Sequence, residues 1–165
     1  MRRVPTTQYV ALLRGINVGG RNKVAMADLR QALEEAGFES VRTYIQSGNV
    51  LFRTDASASS LESNLEQVLE RRFNTPLVVV VRSRAQYRKL VSDAPKGFGA
   101  EPQTYHSDVV FLKQPLTSKQ AMNVVSLREG VDQAWPGAGV VYFQRLTARR
   151  TQSRMSSIAS VVSQG

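Results

Sequence analysis

The chain has 165 residues, the length of an ordinary single domain, with 42% hydrophobic and 21% charged residues. This composition excludes disordered, collagen-like and low-complexity classes. Because the sequence has no cysteine and one histidine, His106, it also excludes disulfides, thiolate zinc sites, cysteine nucleophiles and multi-imidazole metal sites. We therefore predict neither a metal nor a cofactor.

The formal net charge of +9 is concentrated at the two ends of the sequence. Residues 1–30 carry a net charge of +5, residues 31–143 are neutral, and residues 144–165 carry +4. If the fold joins these ends into one basic face, an anionic partner is expected; otherwise the charge only aids solubility. The apolar stretch 9–13 is too short for a signal peptide and no run reaches the roughly 20 residues of a membrane span, which predicts a cytoplasmic protein without a membrane partner.

The first half of the chain predicts alternating strands and helices. We expect a strand at 8–13, a helix at 25–36 that ends at Gly37, and strands at 41–45 and 49–53. A second helix should begin with a capping box from Ser59 to Glu62, and a buried strand should follow at 77–81. A third helix should begin with a capping box from Ser83 to Gln86 and end before Pro95. This β-α-β-β-α-β order is the ferredoxin-like arrangement.

The second half predicts a smaller α+β part. Residues 96–104 show no apolar period and are expected to be a linker. After it we expect a strand at 108–112 and a helix from the Thr117–Gln120 box to Leu127. We then expect a hairpin of 131–135 and 140–145 that turns through Pro136 and Gly137. The chain should end in a helix with Met155, Ile158, Ala159 and Val162 on one face. We predict an α+β fold in which a ferredoxin-like part, 1–95, is packed against a smaller α+β part, 105–165.

Two loops without acids are expected at one edge of the first sheet. In a ferredoxin-like sheet the third strand lies antiparallel between the parallel first and second strands, so the loop 14–20 and the turn 46–49 emerge together. A glycine-rich loop between a strand and a helix offers backbone N–H groups to an anion. The alternative is that the glycines only satisfy turn geometry. The loop is neither a Walker motif nor Gly-x-Gly-x-x-Gly.

Three runs resemble the bacterial domain of unknown function 1697 family: YVALLRGINVGG at 9–20, KVAMADLR at 23–30 and YIQSGNVLF at 44–52. Arg145 and Ser153-Arg154-Met155 look like the Ser-Lys/Arg-Leu segment of that family. The resemblance implies a cytosolic bacterial protein with a ferredoxin-like part and a second, smaller α+β part. It implies no established activity.

The leading hypothesis is that a small anionic or nucleotide-like ligand binds at this edge, with Arg145 or Arg154 reaching in. Arg14 is its central residue because neither loop contains an acid that could pair with it. The residues expected to contact the ligand are Arg14, Gly15, Asn17, Gly19, Gly20, Gln46, Ser47, Gly48, Asn49, Arg145, Ser153 and Arg154.

Other classes of function are less favoured. A nucleic-acid-binding module could use the basic ends, but strands 10–13 and 77–81 are apolar on both faces, unlike an open RNA-stacking sheet, and we expect residues 105–165 to cover the second face. An interaction domain without a small ligand is the other alternative. An enzyme stays open, although His106, Ser107 and Asp108 are consecutive on a predicted strand and cannot form a triad, and no other residue stands out as nucleophile or base.

Overall fold

The computed structural model describes residues 4–17, 20, 23–44 and 48–156, and these form an α+β protein as predicted. The chain divides into two compact units, residues 1–87 and 88–165. This boundary lies inside the helix Arg84–Ser92. The stretch 96–104, predicted as a linker, is counted with the second unit, where Phe98 packs edge-on against Trp135 and Tyr142.

The first unit contains one four-stranded sheet and two helices that pack on it. Its elements are β1 (Thr7–Arg14), α1 (Met26–Glu35), β2 (Glu39–Tyr44), β3 (Asn49–Thr54), α2 (Ala58–Phe73) and β4 (Val78–Ser83). The strand order is β2-β3-β1-β4, and every neighbouring pair is antiparallel. This is the ferredoxin-like topology that the order of elements predicts.

The core of the first unit lies on one face of this sheet. Because successive strand residues point to opposite faces, Tyr9, Ala11 and Leu13 of β1 turn to the same side and are buried. They share a core with residues at helical spacing in α1 and α2, namely Leu29, Leu33, Leu61, Leu65 and Leu69.

The helix ends of the first unit confirm one prediction and correct another. Gly37 follows α1 with a φ of +94°, and the Phe38 N–H donates to the Leu33 carbonyl at 3.1 Å, which is the predicted glycine-terminated end. The prediction of a capping box from Ser59 to Glu62 is wrong. Helix α2 is preceded by Ser57, and Glu62 instead accepts a hydrogen bond from the Val81 N–H of β4 at 2.8 Å.

The second unit is a three-stranded antiparallel sheet with an apolar cluster on each face. It contains most of α3 (Arg84–Ser92), then β5 (Tyr105–Phe111), α4 (Ser118–Val124), β6 (Asp132–Gly137) and β7 (Val140–Leu146), in the strand order β5-β7-β6. Residues of β7 alternate between the clusters: Val141 and Phe143 pack with Ala121 of α4, whereas Val140 and Tyr142 pack with Leu90 of α3.

The capping boxes of α3 and α4 are present as predicted, but other boundaries differ. Helix α4 ends at Val124 because Val125 is extended, and the β6–β7 turn is formed by Ala138 and Gly139 instead of Pro136 and Gly137. Pro136 fits in β6 because that strand is an edge of the sheet. A 3₁₀ segment, Thr147–Gln152, follows β7; of the predicted last helix only Met155 is described, and Ile158, Ala159 and Val162 lie outside the described residues.

Candidate functional site

Three segments of the first unit meet at the edge where β1 ends. The Leu13 N–H donates to the Gly48 carbonyl at 3.0 Å, which joins β1 to the β2–β3 turn as the topology predicts. A Cβ at Gly15 would lie 3.7 Å from the Pro76 carbonyl oxygen, so the α2–β4 connection reaches the same edge. Sequence reasoning had placed only the first two segments here.

Asn17 has a structural role at this edge. Its φ is +54°, and its carboxamide both donates to the Val24 carbonyl at 3.1 Å and accepts from the Val24 N–H at 2.9 Å. These two bonds hold residue 17 against the chain just before α1. The side chain predicted to contact a ligand is therefore engaged in shaping the loop. Of the other predicted residues, Gly19, Gln46 and Ser47 lie outside the described residues, and Gly20 is exposed.

A row of residues in cross-strand register crosses the sheet just before this edge. Tyr44 pairs with Asn49, Asn49 with Leu12, and Leu12 with Val80. Directly paired residues share a face, and this face is opposite to the one that packs on the helices. Tyr44 is 64% exposed, whereas Val80 is fully buried. The aromatic ring of Tyr44 and the carboxamide of Asn49 thus lie on adjacent strands at the polar end of the row.

Two arginines flank the row on the same face. Arg14 is paired with Val78 and Arg82 with Val10, and both are half-buried. Burial lowers the pKa of Arg14, and the charge of Arg82 lowers it further. Burial also lowers the pKa of Arg82, while Glu62 acts in the opposite direction. Arg14 lies at the edge itself, and Arg82 lies on the other side of the row, toward the far end of β4. The face of the sheet around the row is therefore positively charged and partly removed from water.

Sequence reasoning missed Arg82 as a site residue and treated Tyr44 as a packing residue. The signal for both was the strand register. Once β4 is placed beside β1 and β2 beside β3, the alternation of side chains assigns Arg82 and Tyr44 to the face that carries Arg14.

Arg145, Ser153 and Arg154 lie in the second unit, around the buried carboxylate of Asp132. Asp132 Oδ2 accepts from the backbone N–H groups of Arg128 at 2.9 Å and of Arg154 at 2.8 Å. Arg145 is the cross-strand partner of Asp132, and its Nη2 lies 3.5 Å from Asp108 Oδ2. These residues organise the end of the second sheet. Whether Arg145 or Arg154 reaches the edge of the first sheet stays a prediction.

Hydrogen bonds outweigh burial at Asp132. Burial raises the pKa of this carboxyl, but the backbone N–H of Arg154, the Ser153 hydroxyl, the backbone N–H of Arg128 and the charge of Arg145 together hold the pKa below its usual value. Asp132 is therefore ionised at neutral pH. It serves as an anchor for the segments on both sides.

The residues 106–108 do not form a catalytic triad, and the described residues contain no metal-binding cluster. His106 Nε2 lies 3.5 Å from Asp108 Oδ1, both pointing to one face of β5, and Ser107 points to the other face, so these three cannot act as a triad. Within residues 4–17, 20, 23–44 and 48–156, no three acidic or imidazole side chains gather where they could hold a metal ion. In the same part of the chain, no helix combines the length and the apolar character needed to cross a membrane.

The model of one family, described as "Protein of unknown function (DUF1697)", matches residues 6–142. The chain belongs to the DUF1697 family. The match includes the edge of the first sheet and most of the second unit. Arg145 and the segment 153–155 lie beyond it, so their resemblance to the family stays an expectation. No curated protein matches this DUF1697 chain.

The solved structures that match this DUF1697 protein include one bacterial protein and one from Galdieria sulphuraria. The conserved bacterial protein SP0830 from Streptococcus pneumoniae is 27% identical, with a TM-score of 0.76 over 90% of this chain and 83% of the other. An unknown protein from Galdieria sulphuraria is 17% identical, with a TM-score of 0.31 over 95% of this chain and 92% of the other. The first of these supports the α+β fold.

Proposed function

We propose that this protein binds a small phosphate-bearing ligand of the nucleotide type at the edge of the first sheet where β1 ends. The observation that carries the proposal is Arg14 at this edge, a half-buried guanidinium that shares its face of the sheet with the half-buried Arg82 farther along the neighbouring strand. The charge of Arg82 lowers the pKa of Arg14, and an anion bound beside Arg14 would counteract this effect. A guanidinium also holds phosphate oxygens in a bidentate fork.

The backbone at the edge supports the same ligand class. Gly15 and Gly48 lie where the three segments approach each other, and neither loop brings an acid that would repel an anion. Asn17 fixes the course of the loop toward α1 through Val24. A strand followed by such a loop and a helix is a common setting for backbone N–H groups that bind phosphate. Gly20 belongs to this part of the proposal.

Tyr44 and Asn49 support a ligand that carries a ring as well as a charge. The row from Tyr44 on β2 to β4 crosses three strand spacings, about 14 Å, which is close to the length of a nucleotide. The exposed ring of Tyr44 offers a stacking surface, and the Asn49 carboxamide has both a donor and an acceptor for a base edge. Phosphate would bind toward Arg14.

The nucleic-acid alternative receives less support from the same sheet. RNA-stacking sheets present aromatic rings on their central strands. In the central strands here, Tyr9 and Phe52 are cross-strand partners with ring centroids 5.8 Å apart, but both are buried in the core with α1 and α2. The opposite face of β1 and β3 carries aliphatic and polar residues, among them Val10, Leu12 and Asn49.

Substitution of Arg14 tests the anion site. Arg14→Ala should weaken the binding of inorganic pyrophosphate and of a nucleoside monophosphate by about tenfold or more, measured by titration calorimetry. Arg14→Lys keeps the charge without the fork and should retain part of the affinity. Arg84→Ala is the matched control, because Arg84 is exposed at the opposite end of β4. Equal losses in Arg14→Ala and Arg84→Ala would refute the site.

Substitution of Tyr44 tests the ring. Tyr44→Leu should weaken the binding of the nucleoside monophosphate by about threefold to tenfold and leave the binding of pyrophosphate unchanged. Tyr44→Phe should bind both ligands with the affinity of the parent protein. If Tyr44→Leu binds the nucleotide normally while Arg14→Ala does not, the ligand is an anion without a stacked ring. If neither substitution changes binding, and both variants remain folded, the interaction-domain alternative is preferred.

A further inference from the structure

We propose that the second unit carries a phosphate-binding site of its own, formed by Arg128, Arg149 and Arg154 around the loop that precedes β6. The proposal is independent of the edge of the first sheet. Its ligand class is a compact phosphate or pyrophosphate group.

The three arginines are brought together by two shared partners. The Arg128 and Arg154 backbones both donate to Asp132 Oδ2, which fixes the start points of their side chains beside the same buried carboxylate. Arg128 and Arg149 both bond to Gln152: Arg128 Nε lies 3.4 Å from its carbonyl oxygen, and Arg149 Nε and Nη2 lie 3.1 and 2.7 Å from its Oε1. The three residues therefore surround one short loop.

Further contacts place the guanidinium groups on this loop. Arg154 Nη1 donates to Ser126 Oγ at 2.9 Å, at the beginning of the loop. A Cβ at Gly130 would lie 3.9 Å from Arg149 Nη1, so Arg149 passes close to the end of the loop. All three arginines are exposed. A ligand in solution can reach them without a change in the fold.

The acceptors that orient the Arg128 and Arg149 side chains are neutral. Arg149 directs two N–H groups to a single amide oxygen, a geometry that suits a carboxylate or phosphate equally well. In the part of the chain that the structure describes, neither Arg128 nor Arg149 forms an ion pair with a carboxylate. The Asp132 charge is buried beneath the loop beside Arg145, and Glu129 is the acid on the loop itself. The guanidinium groups of Arg128 and Arg149 are thus held in place by neutral partners, which favours binding of an anion beside them.

Arg149 and Arg150 provide a matched pair for the experiment. Both are exposed and neighbour each other in the 3₁₀ segment, but only Arg149 is held to Gln152. We would titrate pyrophosphate into the full chain by calorimetry, with Arg14→Ala present in every variant so that the first proposed site does not contribute. Arg149→Gln and Arg128→Gln should each weaken binding by about tenfold or more, and Arg150→Gln by less than about twofold.

Three results would overturn the proposal. Equal weakening by Arg149→Gln and Arg150→Gln would show diffuse attraction to a basic surface. Absence of pyrophosphate binding in the folded Arg14→Ala protein would show that there is no second site, whatever the outcome at the first. Tighter binding of a 20-nucleotide oligonucleotide than of pyrophosphate at 200 mM salt would show that the arginines bind a phosphodiester backbone. Binding that depends only on counterion release would be weak at this salt concentration.

Discussion

Gly48 lies at the closest approach between the β2–β3 turn and the end of β1. Its φ is +80°, and a Cβ there would meet Ile16 Cδ1 at 3.0 Å, the Leu13 carbonyl oxygen at 3.2 Å and Leu13 Cβ at 3.3 Å. Two of these three contacts involve atoms close to the backbone, which cannot easily move away. The position thus requires glycine both for its backbone conformation and for space.

Gly48→Ala should therefore lower the free energy of unfolding by about 2–4 kcal/mol, the sum of left-handed strain and overpacking. Gly37→Ala is the control, since Gly37 has a φ of +94° but open space around its Cα, and it should cost about 1–2 kcal/mol. Urea denaturation of both variants measures the difference. Equal losses would mean that the crowding at Ile16 and Leu13 relaxes without cost.

At Asp132 the lowered pKa links the carboxylate to stability. A group whose pKa is lower in the folded state stabilises the fold above its unfolded pKa, near 4, and this contribution is lost as the pH falls through the folded pKa. The free energy of unfolding of the parent protein should thus decrease below about pH 4.

Asp132→Asn tests this linkage. The amide cannot accept from Arg128 and Arg154 as strongly as a carboxylate, so we expect a loss of about 1–3 kcal/mol at pH 7. Because the variant lacks the titrating group, the loss should shrink toward pH 3. A constant difference between parent and variant from pH 7 to pH 3, measured by urea denaturation, would contradict the role of the charge.

At the scale of elements, two helix starts show that a capping-box sequence does not always form the capping hydrogen bonds. Thr117 and Gln120 form both bonds of a capping box at α4, at 3.2 and 3.0 Å. Ser59 and Glu62 have the same spacing in the sequence, yet Ser59 lies inside α2 and its hydroxyl is 2.8 Å from that of Ser57. Strand β4 competes for Glu62 through the Val81 N–H, which no local pattern could indicate.

Alanine substitutions should reproduce this contrast. Thr117→Ala removes a working cap and should cost about 1 kcal/mol, whereas Ser59→Ala should change the free energy of unfolding by less than about 0.5 kcal/mol. Circular dichroism during urea denaturation measures both. A larger loss for Ser59→Ala than for Thr117→Ala would restore the predicted box at α2.

At the scale of the whole molecule, the charge of +9 predicts attraction to any polyanion at low salt. Binding of duplex DNA should be insensitive to sequence. If about six phosphates are neutralised, it should weaken about 1,000-fold between 50 and 200 mM salt. Pyrophosphate, which displaces few counterions, should weaken far less over the same range. Fluorescence anisotropy of labelled duplexes tests this, and duplex binding that persists at 200 mM salt would favour the nucleic-acid alternative.

The order of elements in the first unit was determined by the sequence alone. The periods of the apolar residues, Gly37 after α1 and the box at Ser83 all act within a few residues, so they are readable without a structure. The topology followed from that order because a split β-α-β unit restricts how its strands can pair. The meeting of Gly15 and Gly48 at one edge was predictable for the same reason.

Only the tertiary structure decided which side chains share the candidate sites. Arg82 joins the face that carries Arg14 through the pairing of β1 with β4, which are distant in the sequence, and the register of the β2–β3 hairpin places Tyr44 opposite Asn49. Asp132 likewise gathers Arg128 and Arg154 across more than 20 residues of chain, and Asn17 is taken up by Val24. Local propensity depends on residues that are close in the chain, whereas hydrogen bonding and charge depend on residues that are close in space. The register of the strands decides which residues become neighbours in space.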